Sequence, residues 1–252
     1  HFRQLEIIKF IDKIDPQLLT EKNGGRNIIT LAITTWSRKE FELMVFLKYL
    51  KNNFPYLLRE LFQQDNISHG GNPFTEAALK GTKTHNEAIS FIAEWLDENG
   101  DSDEKEKWLN QANIYPIHGA AINGNAETIR LLVDLGGNVD FVSKKGMTAL
   151  YYAAMENQVE AIEALLQKGA NPRITTTEGG GYPIHGAAIT GSLEATKCLV
   201  NNGVDWDSVN KFGQTPLDMA RNRKKTEIVT YLESLEELSP NLIEVAKNGN
   251  QY

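Results

Sequence analysis

Apolar residues recur along the chain at the three- and four-residue intervals that are typical of amphipathic α-helices. From residue 113 to residue 238, short and longer helical patterns alternate and are joined by tight connections rich in glycine and asparagine. The pattern therefore predicts an all-helical chain. Before this region, the same spacing predicts helices over residues 2–14, 38–51 and 86–98, with a short one over 56–63.

One stretch of the sequence occurs twice. The eight residues Tyr-Pro-Ile-His-Gly-Ala-Ala-Ile begin at Tyr115 and again at Tyr182, which is 182 − 115 = 67 residues later. Related stretches begin at Thr148 and Thr215, so the successive offsets are 33, 34 and 33 residues. A fixed period of this length is the signature of a solenoid of stacked repeats.

The period divides the chain into four parts. Four regular helix–turn–helix units are expected over 113–238, and two divergent units with loop insertions over 23–112. Residues 1–22 are expected to form the second helix and loop of a partial repeat, so that the chain is a fragment of something longer. Residues 239–252, which begin with Ser239-Pro240, are expected to start a further repeat or to form a C-terminal cap helix.

Small and acidic residues recur at fixed places in the regular units. Each second helix opens with a glutamate, which favours the positive end of the helix dipole. Each of the first three units has two consecutive alanines in its first helix, and small side chains let neighbouring units pack closely. These residues are Glu127, Glu160, Glu194 and Glu227, with the pairs Ala120–Ala121, Ala153–Ala154 and Ala187–Ala188.

These repeats resemble a known family. Gly146-Met-Thr-Ala-Leu-Tyr-Tyr-Ala-Ala154 and Gly213-Gln-Thr-Pro-Leu-Asp-Met-Ala220 are similar to the ankyrin-repeat motif Gly-x-Thr-Pro-Leu-His-x-Ala-Ala. The resemblance implies an all-α solenoid of stacked helix–turn–helix units with β-hairpin or loop fingers. It also implies that His118 and His185 hydrogen-bond the turn, rather than acting as ligands or catalysts.

Two units depart from the family pattern, because Tyr115 and Tyr182 stand where the motif has threonine. The local capping bonds of that threonine are therefore in doubt in these units. We expect the tyrosine rings to pack over Gly119 and Gly186 instead.

Composition and spacing argue against the other classes of function. The net charge of −7 is unfavourable for a nucleic-acid partner, and no apolar run reaches the length of a membrane-spanning helix. The acidic cluster 97–107 fails as a calcium loop, because its glycine is fourth and its twelfth position is Trp108. Cys198 follows His185 by 13 residues, but the sister unit has Leu131 at that place, which favours a core position. We expect no catalytic residue, cofactor or metal.

The fold instead predicts an interaction module. By resemblance, finger tips and first helices line a concave face that binds a protein partner, and the chain is expected to be a cytoplasmic, monomeric adaptor or scaffold without enzymatic activity. The alternative is a targeting or recruiting segment of a larger enzyme or of a secreted bacterial effector. The residues predicted to contact the partner are Ile122, Asn123, Phe141, Lys144, Lys145, Met147, Tyr152, Met155, Glu156, Ile189, Thr190, Lys211, Phe212, Gln214, Asn222 and Arg223.

Overall fold

The computed structural model describes residues 40–53, 73–99, 101–110 and 115–248, and these contain twelve α-helices and no β-strand. The helices predicted over 2–14 and 56–63 lie outside the described residues. None of the described helices is long and apolar enough to cross a membrane. The helices are α1 (Glu40–Asn53), α2 (Pro73–Lys80), α3 (Lys83–Glu98), α4 (Ser102–Asn110), α5 (Pro116–Ile122), α6 (Ala126–Asp134), α7 (Ala149–Met155), α8 (Val159–Gln167), α9 (Pro183–Thr190), α10 (Leu193–Asn201), α11 (Pro216–Asn222) and α12 (Thr226–Asn248).

The chain divides into two compact units, His1–Phe141 and Val142–Tyr252. In the first, α2 packs on α5 and α3 packs on α1, so that first and second helices form separate layers. The insertion before the regular repeats contains α4, which includes Trp108 near its end. The Trp108 ring meets Phe74 of α2 edge-on, with 5.7 Å between the ring centroids. Asp97 holds the start of this insertion by accepting a hydrogen bond from Lys105 Nζ at 2.6 Å.

In the second unit, α9 packs between α7 and α11, while α10 contacts both α8 and α12. The paired alanines of α7 and α9 are fully buried at these contacts, which confirms their role in close stacking. Leu165 and Leu199 fill the layer of second helices. Leu166 is only half-buried, because it lies at the edge of α8 rather than inside this layer.

The loops that connect the repeats form fingers without strand structure in the described residues. One finger is closed where Ser143 N donates to Met147 O at 2.9 Å, and another where Asn210 N donates to Gln214 O at 3.0 Å. Each contains only one such bond at its base, which is too few for a ladder. The fingers are therefore the loop form of the two forms predicted.

The tail differs from the prediction of a separate helix after Ser239. Instead, α12 continues without a break from Thr226 to Asn248. Pro240 suggested a helix start, because an interior proline lacks a backbone N–H and crowds the preceding turn. Most of its neighbours in the sequence are strong helix formers, which offset part of that cost. Residues 239–248 are thus the end of the last second helix.

Candidate partner-binding surface

The two repeated histidines hold the base of the fingers. His118 Nε2 donates to Phe141 O at 2.9 Å, and His185 Nε2 donates to Gln214 O at 3.0 Å. His185 Nδ1 also accepts from Tyr182 N at 3.3 Å, which requires the neutral ring. Burial lowers the pKa of His118 to about 4 and also lowers the pKa of His185, against the opposing effect of these carbonyl contacts. The predicted bond from histidine to turn is confirmed.

The prediction that the tyrosine rings pack over the glycines is wrong. The Tyr115 ring lies against Phe141, with 4.0 Å between the centroids, and Tyr182 contacts His185 at 5.6 Å. Gly119 instead faces the preceding first helix, where an added Cβ would lie 3.1 Å from Leu79. The neighbouring repeat therefore covers these glycines. The tyrosine four residues earlier in the same repeat does not.

Gly186, in the second copy of the repeated stretch, likewise faces the preceding first helix. A Cβ added there would lie 3.0 Å from Tyr151 Cζ and 3.1 Å from Met155 Cγ. Met155 is therefore partly used in the packing of α7 against α9, although its side chain remains half-buried. This makes Met155 a poor position for testing partner binding.

Cys198 has the surroundings of a core residue. It is 7% exposed, and burial, followed by the charges of Glu163 and Glu160, raises the pKa of its thiol. Asn202 Nδ2 lies 3.7 Å from the sulfur. A raised pKa disfavours the thiolate that nucleophilic catalysis needs.

The three fingers of the second unit are hydrogen-bonded to one another. Thr177 N donates to Lys145 O at 3.0 Å, and Lys211 N donates to Gly179 O at 3.1 Å. Lys211 Nζ also donates to Thr177 O at 2.6 Å. Six residues of the predicted partner set are thus carried on one connected row of loops: Lys144, Lys145, Met147, Lys211, Phe212 and Gln214.

The first helices supply the rest of the predicted set in this unit. Ile189 and Tyr152 are half-buried, whereas Glu156, Asn222 and Arg223 are exposed. Thr190 Oγ1 donates to the backbone of its own helix at 3.2 Å, so its hydroxyl is used locally. The structure thus places these residues on consecutive first helices, beside the fingers.

Three predicted contact residues belong to the first unit and have local roles. Phe141 stacks on Tyr115, and Asn123 Nδ2 lies 3.3 Å from both Leu79 O and Gly119 O. Ile122 is half-buried at the end of α5. These three residues therefore contribute at least in part to the packing of their own repeat.

Phe212 is the most exposed large apolar side chain of the described residues, at 72%, and Val209 of the same finger follows at 53%. Phe212 was predicted from the sequence as a contact residue, and Val209 was not. The available signal was its position: a β-branched residue in a loop, three residues before the exposed aromatic. Exposed apolar side chains that lie together mark contact surfaces, and these two belong to the same finger.

Comparison with known proteins identifies the family. Models described as "Ankyrin repeats (3 copies)" and "Ankyrin repeats (many copies)" match residues 86–176 and 165–220. Together they cover residues 86–220, which is more than half of the chain. The chain belongs to the ankyrin-repeat family.

Several proteins of different names are similar to part of this chain. The transient receptor potential cation channel subfamily A member 1 homolog of Caenorhabditis elegans is 34% identical over 112 residues, 44% of this chain and 9% of that protein. The mouse protein phosphatase 1 regulatory subunit 12A is 39% identical over 94 residues, 37% of this chain and 9% of that protein. The cyclin-dependent kinase inhibitor 2A of Monodelphis domestica is 32% identical over 113 residues, 45% and 66% of the two chains. The chain thus spans less than two thirds of each of these relatives.

Proposed function

We propose that this ankyrin-repeat protein is a protein-binding adaptor that contacts its partner through the fingers and first helices of residues 142–223. The observation that carries the proposal is Phe212, a 72% exposed aromatic side chain on a finger fixed to its neighbour by Lys211. Exposing this ring to water costs free energy that a partner recovers by covering it. Aromatic anchors surrounded by charged residues are typical of the centres of protein interfaces.

The surrounding charges support the same proposal. Lys144 and Lys145 are exposed on the first finger of this unit, and Arg223 is exposed at the end of α11. No ion pair of Lys144, Lys145 or Arg223 occurs among the described residues. We propose that these cations pair with acidic groups of the partner at the edge of the contact, in a cytoplasmic and monomeric protein.

The test is affinity capture followed by quantitative mass spectrometry, with the double variant Phe212→Ala, Lys144→Glu. Both side chains are exposed, so folding is expected to be preserved, whereas loss of an aromatic anchor costs about 2 kcal/mol or more of binding. Proteins that bind this surface are expected to be depleted by about tenfold or more.

The matched control is Glu163→Lys, Gln167→Ala, which changes two exposed positions on the second helix α8. Capture by this variant is expected to equal that of the unmodified protein. If the two variants deplete the same proteins equally, or if neither depletes any, the proposed surface is wrong.

A second candidate is a recruiting segment of a larger protein, such as an enzyme or a secreted bacterial effector. The observation that favours it is the small share of two relatives, 9% each, that the ankyrin stretch occupies. Sequencing the complete open reading frame tests this proposal, because a further folded domain supports it and a coding region without one contradicts it.

A further inference from the structure

The two copies of the 67-residue double repeat allow the chain to be compared with itself. From Tyr115 and from Tyr182, the loops after α6 and α10 align without a gap. Gly136 N donates to Val133 O at 3.0 Å, and the equivalent Gly203 N donates to Val200 O at 2.9 Å. The bond from Ser143 N to Met147 O likewise has its equivalent in that from Asn210 N to Gln214 O. The two loops therefore follow the same backbone course.

Several side chains of this shared loop differ in size, because Val204 stands for Gly137, Trp206 for Val139 and Ser208 for Phe141. The last of these differences concerns the ring of the repeated tyrosine. In the first copy, Phe141 covers the ring of Tyr115, with 4.0 Å between the centroids. The equivalent of Phe141 in the second copy is Ser208, because both lie 26 residues after their tyrosine (141 − 115 and 208 − 182). The unit between them has Ile174 at this place, which is again apolar and half-buried. Ser208 is the exception.

The missing ring coincides with a cleft beside Tyr182. The cleft has a volume of about 220 Å³ and is lined by Pro172, Arg173, Tyr182, Gly203, Val204, Asp205 and Ser208. A cavity of about 150 Å³ is enough to hold benzene. The cleft can therefore accept a phenyl or phenol ring, and Tyr182 and Val204 supply apolar contact surface for it.

Carboxyl groups at the rim of the cleft favour a positively charged ligand. Asp205 lines the cleft, and its hydrogen bond with Asp207 is the first cause of the raised pKa of Asp207, followed by burial and by the charges of Asp205 and Glu236. Arg173 is the only cationic residue in the lining. Carboxyl groups so close together favour an added cation, because it relieves their mutual repulsion.

We infer that the cleft at Tyr182 and Ser208 is a second binding site, which takes an aromatic side chain of a partner protein with a neighbouring lysine or arginine. The ring occupies the place that Phe141 fills in the first copy, and the neighbouring cation pairs with Asp205. None of the residues predicted to contact the partner lines this cleft, although it lies beside the same row of fingers, and the inference does not rest on the proposed function.

The test uses the full chain labelled with ¹⁵N and three short probes. Acetyl-Phe-Arg-amide is expected to shift the amide signals of Val204, Asp205 and Ser208 in a saturable manner, with a dissociation constant of about a millimolar. Acetyl-Ala-Arg-amide lacks the ring and acetyl-Phe-Glu-amide reverses the charge, so both are expected to bind about tenfold more weakly. Equal shifts from all three probes, or no shift from the first, would overturn the inference.

Variants that copy the first repeat sharpen the test. Ser208→Phe installs the ring that the equivalent loop already holds, so it is expected to abolish binding of the first probe without loss of stability. Asp205→Asn introduces the residue equivalent to Asn138 and is expected to remove the preference for arginine over glutamate while keeping the preference for the ring. Unchanged binding by Ser208→Phe contradicts the site.

Two further controls separate the possible failures. If Ser208→Phe does not fold, Tyr182→Thr removes the aromatic wall and introduces the residue found at Thr148 and Thr215; it is expected to weaken the first probe about tenfold. The variant Phe212→Ala, Lys144→Glu is expected to bind the probe as the unmodified chain does. Loss of binding by this variant places the probe on the finger surface and overturns the inference.

Discussion

Single residues in the fingers are constrained by the neighbouring repeat as well as by their own turn. Gly180 has a φ of +62°, and a Cβ added to it would lie 2.4 Å from Lys211 Cγ. Thr176 N donates to Gly181 O at 3.0 Å, so the three consecutive glycines belong to a hydrogen-bonded turn. This constraint could not be predicted from the local sequence, because Lys211 belongs to the next finger.

We predict that Gly180→Ala lowers the free energy of unfolding by about 2 kcal/mol, from the left-handed backbone together with the collision with Lys211. The control is Gly213→Ala, because Gly213 has a φ of +73° but open space around the added Cβ. Its cost is expected to be about 1 kcal/mol, from the backbone alone. Urea unfolding measures both, and equal costs would show that the contact with Lys211 contributes nothing.

At the scale of helices, the start of each first helix depends on which residue precedes it. Thr215 Oγ1 accepts from Asp218 N at 3.1 Å, while Asp218 Oδ2 accepts from Thr215 N at 3.0 Å. Thr148 Oγ1 makes the first of these bonds with Tyr151 N. Tyr182 has no such hydroxyl within reach, and His185 Nδ1 satisfies its N–H. In the unit that begins at Tyr182, the capping that was in doubt is thus partly replaced by histidine.

We expect Thr215→Ala to destabilise the protein by about 1 kcal/mol, because the substitution removes the N-cap acceptor of α11. The matched control is Thr226→Ala at the exposed first residue of α12, which is expected to change stability by less than about 0.5 kcal/mol. Thermal unfolding followed by circular dichroism compares the two variants. A control that costs as much as Thr215→Ala would refute the capping explanation.

For the molecule as a whole, buried neutral histidines link folding to pH in both compact units. His118 is 3% exposed in the first and His185 is fully buried in the second. Their folded pKa values lie below 6.5, so the unfolded chain binds more protons as the pH falls below that value. Their contribution to stability is complete above the unfolded pKa and is lost as the pH falls from 6.5 towards the folded value.

This predicts that the free energy of unfolding decreases between about pH 7 and pH 4.5, by roughly 2 to 3 kcal/mol for His118 alone. His118→Gln keeps a donor for Phe141 O but has no titrating ring, so its decrease is expected to be smaller by that amount. His185→Gln is expected to act in the same direction. Urea unfolding at the two pH values checks both variants. The same pH dependence in the unmodified chain and in both variants would contradict this explanation.

The sequence by itself determined the family, the period and the helical layers, because these depend on local propensity and on side chains that recur at fixed intervals. It also predicted the bond from His118 and His185 to the turns, by resemblance to the family. Only the tertiary structure decided what covers Gly119 and Gly186 and where Ser208 leaves a cleft. Each of these depends on atoms that are distant in sequence or on the volume left between repeats, and a repeat pattern does not encode that volume.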